Sequence, residues 1–146
     1  MMRPLLDVQN LTIELTTRDG VAPVIDDLSF SLNAGETLSF VGESGCGKSM
    51  TALALMGLLP ANVGRIASGH ILFEGEDLAQ ASDARLRKIR GNDISMIFQE
   101  PMTSLNPVLT IGEQIAEVLR AHQGLSRKAA WEQAIALLDA VRIPNP

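Results

Sequence analysis

The sequence predicts an α/β fold, because strand-like and helical runs alternate along most of its 146 residues. A glycine-rich loop, Gly42–Ser49, lies between a strand-like run, Thr37–Val41, and an apolar run that is typical of a helix. Two longer alternating runs before this loop indicate an antiparallel pair of strands. The expected architecture therefore has parallel strands in the core and an antiparallel sheet at the edge.

The edge sheet comes first along the chain. Residues Leu5–Leu15 alternate partly in strand fashion, and Val24–Leu32 follows as a second strand. The connection Thr16–Pro23 contains Asp19-Gly20 and a proline, which are typical of a hairpin turn. These features predict two antiparallel strands.

The glycine-rich loop is predicted to connect a strand to a buried helix. Asn33-Ala34-Gly35 turns the chain into the strand Thr37–Val41. The helix after the loop, Met50–Leu59, is apolar on nearly every face, as a helix between two layers would be. Pro60 is predicted to end this helix.

Two short strands and a charged helix are predicted in the middle of the chain. His70–Phe73 and Ile94–Phe98 are strand-like, and the charged stretch between them, Asp83–Arg90, is typical of a solvated helix. This continues the alternation of strands and helices.

Two amphipathic helices are predicted for the last third of the chain. Thr110 and Glu113 match a capping box, in which the threonine accepts from the Glu113 amide and the glutamate reaches back. A second helix begins at about Ser126, and Trp131 is expected to pack between the two. The apolar positions of one face are Ile111, Ile115, Val118 and Leu119 in the first helix, and Ala130, Ala134, Leu137, Leu138 and Val141 in the second.

Composition limits the classes of function. The net charge of −5 argues against a protein that binds nucleic acid non-specifically through a broad positive field. The single cysteine, Cys46, excludes an intramolecular disulfide and fits a reducing interior. No apolar run approaches the roughly 20 residues that span a bilayer, and the N-terminus lacks a signal-peptide pattern. Any association with a membrane is therefore expected to depend on a partner.

The glycine-rich loop fits G-x-x-x-x-G-K-[ST], the pattern of a phosphate-binding loop, or P-loop. Its glycines allow successive N–H groups to point at phosphate oxygens, and the helix that follows presents its positive end to the same anion. Lys48 supplies a full charge, and Ser49 offers a hydroxyl to Mg²⁺. The sequence therefore predicts binding of a nucleoside triphosphate by Gly42, Glu43, Ser44, Gly45, Cys46, Gly47, Lys48, Ser49 and Met50.

One later run imitates a second magnesium-binding element. Ile135–Asp139 is four apolar residues and an aspartate, like the Mg²⁺-binding strand of a phosphate-loop enzyme. We interpret it as helix surface, because it continues the helical period and Ala140 follows it instead of a glutamate.

The residues after the loop separate the subclasses of phosphate-loop protein. A GTPase would carry D-x-x-G and N-K-x-D, and neither string follows Ser49. A small-molecule kinase stays possible on the loop alone. The deciding segment is Phe98–Pro107, FQEPMTSLNP, which places Gln99 at the end of a strand and before a proline-bounded loop.

The sequence closely resembles the ATP-binding subunits of ABC transporters, in particular those of oligopeptide, dipeptide, nickel and glutathione importers. The motifs that carry the resemblance are Gly42–Ser49, Phe98–Pro107 and Ile111–Gln114. The resemblance implies MgATP as ligand, ATP hydrolysis coupled to transport, and a role for Gln99 at Mg²⁺ or the attacking water. Lys48 and Gln99 are thus the implied catalytic residues, and Ser49 and Gln99 the implied magnesium ligands.

The resemblance also implies partners and a place in the cell. The loop Gln99–Pro107 is expected to contact integral membrane permease subunits, and a second ATPase subunit or domain is expected to complete the ATP site. An extracytoplasmic solute-binding protein is an indirect partner. The expected location is the cytoplasmic face of the membrane, with attachment through the permease.

In two respects the sequence departs from the family pattern. Leu15 stands where an aromatic residue usually stacks on adenine, although Leu15 or Val24 could still give apolar contact. The L-S-G-G-Q signature, the Asp-Glu strand and the switch histidine do not occur before Pro146. Residues 1–146 are therefore expected to be the N-terminal part of one domain, with an ATP-binding core to about residue 98 and the start of a helical subdomain after it. An inactive nucleotide-binding fragment, or an ABC ATPase with a role outside transport, are the alternatives.

Overall fold

The computed structural model describes residues 3–98 and 105–145. The chain forms two compact units, Met1–Arg87 and Lys88–Pro146. The predicted division near residue 98, between an ATP-binding core and a helical subdomain, stays a prediction.

The first unit contains a four-stranded antiparallel sheet. Its strand order is β2-β1-β3-β4, with β1 at Leu6–Thr17, β2 at Gly20–Leu32, β3 at Gly64–Phe73 and β4 at Glu76–Asp77. The predicted antiparallel pair is confirmed, and the predicted strand His70–Phe73 is the C-terminal part of the longer β3.

The hairpin between β1 and β2 is tighter than the sequence suggested. Thr17 pairs with Gly20, so Arg18 and Asp19 alone form the turn, and Pro23 lies within β2 opposite Glu14. A proline is tolerated there because β2 is an edge strand, whose outward N–H positions need no partner.

Helix α1, Lys48–Leu55, follows the phosphate loop and packs against β2 and the short 3-10 turn Leu78–Gln80. Gly57, rather than Pro60, ends it. Gly57 has a φ of 59° and its N–H donates to Ala54 O, while Leu58 N–H donates to Leu53 O. This pair of bonds is a Schellman motif, and it closes the helix before the proline is reached.

The buried apolar side chains of the first unit come from the sheet and from the segments that pack on it. They are Val8, Leu11, Ile13, Ile25, Ala54, Met56, Ile71, Leu78 and Leu86. The neighbouring helix α2, Asp83–Ile89, confirms the predicted charged helix.

The parallel core strands are the part of the prediction that the structure does not show. Neither Thr37–Val41 nor Ile94–Phe98 forms a strand; in the second run, Ile94 makes only an isolated bridge to Arg90. The physical reason is that a strand needs a hydrogen-bonded neighbour, and no strand within residues 3–98 and 105–145 pairs with 37–41. Val41 is accordingly 96% exposed and Ile97 97% exposed.

The second unit contains a helical hairpin. Helix α3 spans Ile111–Gln123 and α4 spans Arg127–Ala140, and their caps, Thr110 and Ser126, accept hydrogen bonds from Glu113 N and Ala129 N. The predicted cap Thr110 and the predicted start of the second helix at about Ser126 are confirmed, although the Glu113 carboxylate accepts from Arg120 at 2.6 Å instead of reaching back to the cap. The core of the hairpin is formed by Ala116, Leu119, Ala130 and Ala134, with Ile115 and Leu125 packed against it.

The buried face of the hairpin is narrower than the sequence pattern indicated. Ile111 and Val118 in α3, Leu137 in α4 and Val141, which follows the end of α4, are between 44% and 69% exposed. The small side chains Ala116, Ala130 and Ala134 fill the interface, so larger residues beside them are left at its border. Trp131 packs on α3 as predicted: a Cβ on Gly112 would lie 2.9 Å from its ring.

Candidate functional site

The phosphate loop, Gly42–Ser49, is held in shape by glycines with positive φ. Gly45 has a φ of 87° and Gly47 a φ of 93°, values that side chains other than glycine rarely adopt. Gly47 is also buried against β2, where a Cβ would collide with the Ile25 side chain. The glycines therefore provide both the curvature of the loop and its close approach to the sheet.

Helix α1 begins at the end of this loop with a cap that has no side chain. Gly47 is the cap residue, and Lys48, Ser49 and Met50 form the first turn. The first N–H groups of a helix lack partners within the helix, and here the cap residue offers no side-chain oxygen to accept from them. Since the first turn contains no carboxylate, the positive end of α1 can interact with an anion from outside.

The Lys48 side chain folds back over the loop. Its Nζ donates to Gly42 O at 2.7 Å and to Glu43 O at 2.8 Å, and it lies 3.2 Å from Cys46 Sγ. The ammonium group is thus already inside the curve of the loop. The partners that it holds are neutral carbonyls, so an anion entering the loop would be a stronger acceptor.

Cys46 has a role in the geometry that sequence reasoning missed. The hydrogen bond from the Lys48 ammonium is the largest influence on its thiol and lowers the thiol pKa. Its Sγ lies 2.6 Å from the position that a Cβ on Gly42 would occupy, so a side chain at residue 42 would displace the sulfur. The signal in the sequence was the position of this cysteine two residues before the lysine of the phosphate-loop motif.

The structure brings the predicted phosphate-loop residues together, but Gln99 lies outside the described residues. Gly42 through Cys46, Lys48 and Ser49 are exposed, and Met50 is half-buried at the start of α1. Leu15, the predicted position for contact with a base, is half-buried in β1 between Ala22 and Gly64. Its Cδ2 lies 3.3 Å from where a Gly64 Cβ would be, so Leu15 packs closely on β3.

A second segment of interest is the turn before α3, and the residue that holds it is Gln114, which the sequence analysis included in the motif Ile111–Gln114 without giving it a role. Asn106 to Leu109 forms a turn in which Leu109 N donates to Asn106 O at 3.2 Å. The side-chain amide of Gln114 makes three hydrogen bonds to this turn. The signal available in the sequence was the position of Gln114, a polar residue one turn after the predicted cap Thr110.

The sequence model of the ABC transporter family matches residues 25–145. This chain belongs to the ABC transporter family. The match includes the phosphate loop, α1 and both helices of the hairpin, and it begins after β1. It confirms the family that the sequence motifs indicated.

Relatives within the ABC family are ATP-binding proteins of peptide transport. The oligopeptide transport ATP-binding protein OppD of Haemophilus influenzae is 54% identical over 144 residues, which are 99% of this chain and 44% of that protein. The dipeptide transport ATP-binding protein DppD of Bacillus subtilis is 49% identical over 145 residues, 99% of this chain and 43% of the relative. The chain therefore spans less than half the length of these relatives.

Solved structures of ABC cassettes share the fold. The dimeric MJ0796 bacterial ABC transporter cassette superposes with a TM-score of 0.80 at 21% identity, over 96% of this chain and 58% of that chain. A post-hydrolysis state of the same cassette, bound to ADP and Pi, gives a TM-score of 0.78 at 20% identity and the same coverage. This similarity confirms the predicted fold class, an α/β phosphate-loop fold of the ABC ATPase type.

Proposed function

We propose that this chain binds MgATP through Gly42–Met50 and belongs to the energy-coupling ATPase subunit of an ABC importer for peptides or related small solutes. The observation that carries the proposal is the Lys48 ammonium, which lies inside a glycine loop at the positive end of α1. Relatives named for oligopeptide and dipeptide transport, at about 50% identity over nearly the whole chain, support the solute class.

The loop residues fit the polyphosphate of a nucleotide. Gly45 and Gly47 have the backbone conformation that turns N–H groups inward, and Lys48 can exchange its neutral acceptors, Gly42 O and Glu43 O, for phosphate oxygens. The amides at the start of α1 add donors that require no reorganisation. Leu15 and Val24 would offer apolar contact to the base in place of an aromatic ring.

Ser49 is the proposed magnesium ligand within the described residues, and Gln99 is the second. Among residues 3–98 and 105–145, no group of three or more His, Cys, Asp or Glu side chains could hold a metal ion. A magnesium ion on a nucleotide needs only one or two protein groups, because phosphates and water complete its octahedron. When bound, Mg²⁺ neutralises charge on the phosphate oxygens. Gln99 is further proposed to position the attacking water, with Lys48 as the second catalytic residue.

The proposed partners follow from the family. The segment Gln99–Pro107 is proposed to contact integral membrane permease subunits, and a second ATPase subunit or domain to complete the ATP site. The extracytoplasmic solute-binding protein is an indirect partner, and nucleic acid is not one. In the described parts of the chain, none of the helices is long and apolar enough to cross a lipid bilayer. We place the protein at the cytoplasmic face of the membrane, attached through the permease.

Reconstitution of transport tests this function. The full-length protein is assembled with its permease subunits in lipid vesicles, and uptake of labelled dipeptides and oligopeptides is followed with and without MgATP. Peptide uptake should require MgATP and should be lost in Lys48→Ala but retained in Lys88→Ala, which removes an exposed lysine of α2. Uptake that is indifferent to Lys48→Ala, or ATP hydrolysis that peptides and permease never stimulate, would contradict the proposal.

A further inference from the structure

The turn before α3 is exposed to solvent but has hydrogen bonds within it. Asn106 O accepts from Leu109 N at 3.2 Å, and Asn106 Oδ1 accepts from Val108 N at 3.1 Å. Pro107 stands at the second position of this turn, where its fixed φ is favourable, and asparagine at the first position is equally typical. The turn therefore has a defined internal shape, set by Asn106 and Pro107.

Gln114 attaches this turn to α3. Its Oε1 accepts from Asn106 N at 2.9 Å, and its Nε2 donates to Asn106 O at 3.0 Å and to Leu109 O at 3.2 Å. A side-chain amide has the same donor and acceptor as a peptide group, so Gln114 pairs with Asn106 in the way that neighbouring strands pair. Both polar groups of the Asn106 backbone are satisfied by one side chain.

The position of Gln114 explains why it controls the approach of the chain to α3. Thr110 is the cap of this helix, so Leu109 immediately precedes the cap and Gln114 is the fourth helical residue. In many helices an apolar contact between these two positions fixes the angle at which the chain enters. Here hydrogen bonds from Gln114 take the place of that apolar contact, and they have stricter geometry than packing does.

The turn that Gln114 holds, and Leu105 immediately before it, present apolar side chains to solvent. Leu105 is 52% exposed, Val108 82% and Leu109 42%. A segment that is already fixed loses less conformational freedom when it binds than a mobile one does. Loosening of the turn should therefore weaken its contacts without removing any contacting atom.

We propose that Gln114 is a positioning residue, which fixes the turn Asn106–Leu109 in the conformation that contacts the membrane partner. The link to the membrane partner rests on the proposed function; the fixing of the turn rests on the hydrogen bonds alone. Gln114 acts through Asn106 and Leu109, and it does not itself need to contact ATP or the partner.

Hydrogen exchange tests the first half of the proposal in the full-length protein. Gln114→Leu removes all three hydrogen bonds and keeps a good helix former, so α3 should remain intact. Gln114→Glu keeps an acceptor for Asn106 N but loses both donors and places a charge beside two carbonyls. Amides of the segment 105–110 should exchange about tenfold faster in both variants, corresponding to the loss of one or two net hydrogen bonds. The matched control is Gln133→Leu, on the exposed face of α4, which should change nothing in this segment.

The second half of the proposal, contact of the turn with the membrane partner, is tested by measuring how well ATP hydrolysis is coupled to transport. In the assembled importer, Gln114→Leu should leave the affinity for MgATP and the basal hydrolysis rate unchanged, while permease-stimulated hydrolysis and peptide uptake fall several-fold. A residue with a merely structural role would instead lower the amount of MgATP bound, basal hydrolysis, stimulated hydrolysis and uptake in parallel with the amount of folded protein.

The outcomes are separable. Unchanged exchange in both Gln114 variants would overturn the positioning role, whatever transport does. Faster exchange with normal stimulated hydrolysis and uptake would show that the turn is not used for coupling and would also overturn it. Failure of the proposed function would show in a different experiment: Lys48→Ala would then bind MgATP as tightly as wild type does.

Discussion

Replacing Lys48 by alanine removes a full positive charge from the centre of the phosphate loop. In the structure this charge is shared between Gly42 O at 2.7 Å and Glu43 O at 2.8 Å. A charge-assisted hydrogen bond contributes about 1.5–3 kcal/mol, which is about ten- to a hundredfold in affinity. Because the ammonium must give up or share its carbonyl acceptors when phosphates bind, part of this gain is offset. We therefore expect a loss of at least about tenfold in MgATP affinity, toward the lower end of that range.

The assay is titration of a fluorescent ATP analogue into wild type, Lys48→Ala and Lys88→Ala. Circular dichroism of each variant shows whether the fold is retained, and we expect it to be, since Lys48 is exposed and its partners are loop carbonyls. Lys88→Ala removes the same side chain from α2 and should bind the analogue as wild type does. Equal affinities of Lys48→Ala and wild type, with equal spectra, would refute the assignment of the loop as a phosphate cradle.

Three further results are expected. Maleimide labelling of Cys46 should be slowed by saturating MgATP, because an added group would occupy the space of the phosphates. Lys48 lowers the pKa of the Cys46 thiol, so Lys48→Ala should raise this pKa and slow labelling near neutral pH. A labelling rate that changes neither with MgATP nor with Lys48→Ala would place Cys46 away from the site. In the full-length protein, Gln99→Ala should depress transport and stimulated hydrolysis far more than MgATP binding; equal loss of binding and turnover would argue against a positioning role. The 146-residue chain alone should self-associate, because Leu38, Phe40 and Val41 are exposed. It should show no ATPase activity, because the L-S-G-G-Q signature and the Asp-Glu strand that the resemblance implies do not occur in residues 1–146. Light scattering that shows a monomer, with Mg²⁺-dependent phosphate release, would contradict this.

The elements predicted correctly from the sequence are those with local determinants. The predicted cap Thr110, and Ser126 at the predicted start of the second helix, each accept a hydrogen bond from a residue three positions later, so the local sequence pattern is sufficient. The β1–β2 hairpin likewise pairs neighbouring segments. The interpretation of Ile135–Asp139 as helix surface, and not as a magnesium-binding strand, is also confirmed, since these residues lie within α4 and Asp139 is exposed.

The elements predicted wrongly depend on residues distant in the chain. Thr37–Val41 has the composition of a buried parallel strand, yet a parallel strand requires neighbours that are separated by a crossover. Within the described residues Phe40 makes an edge-to-face contact with Phe30, with ring centroids 5.0 Å apart, and stays 45% exposed. The end of α1 was missed for a different reason: Pro60 is a general helix breaker, but the positive φ of Gly57 terminates the helix first.

The sequence indicated the residues of the candidate site, whose binding role stays a prediction, but only part of the contacts among them. The pattern G-x-x-x-x-G-K-[ST] identifies Lys48, and the positive φ of Gly45 and Gly47 follows from it. The contact of Lys48 with Cys46, and the close approach of Cys46 to Gly42, depend on side-chain conformation, which no motif specifies. Gln99 stays a prediction, because it lies outside the described residues.

The two segments to which function is assigned share one arrangement: a side chain in the first helical turn, or just after it, bonds back to the carbonyls of the preceding loop. Lys48 reaches Gly42 O and Glu43 O, and Gln114 reaches Asn106 O and Leu109 O. The difference lies in charge. The Lys48 ammonium is held by neutral acceptors, so an anion can compete for it, and its contacts suit a group that rearranges on binding. The Gln114 amide matches a peptide group in both donor and acceptor, so an incoming ligand has little to offer it. The first arrangement fits a residue that changes partners with each nucleotide, and the second fits one that holds the same turn throughout the cycle.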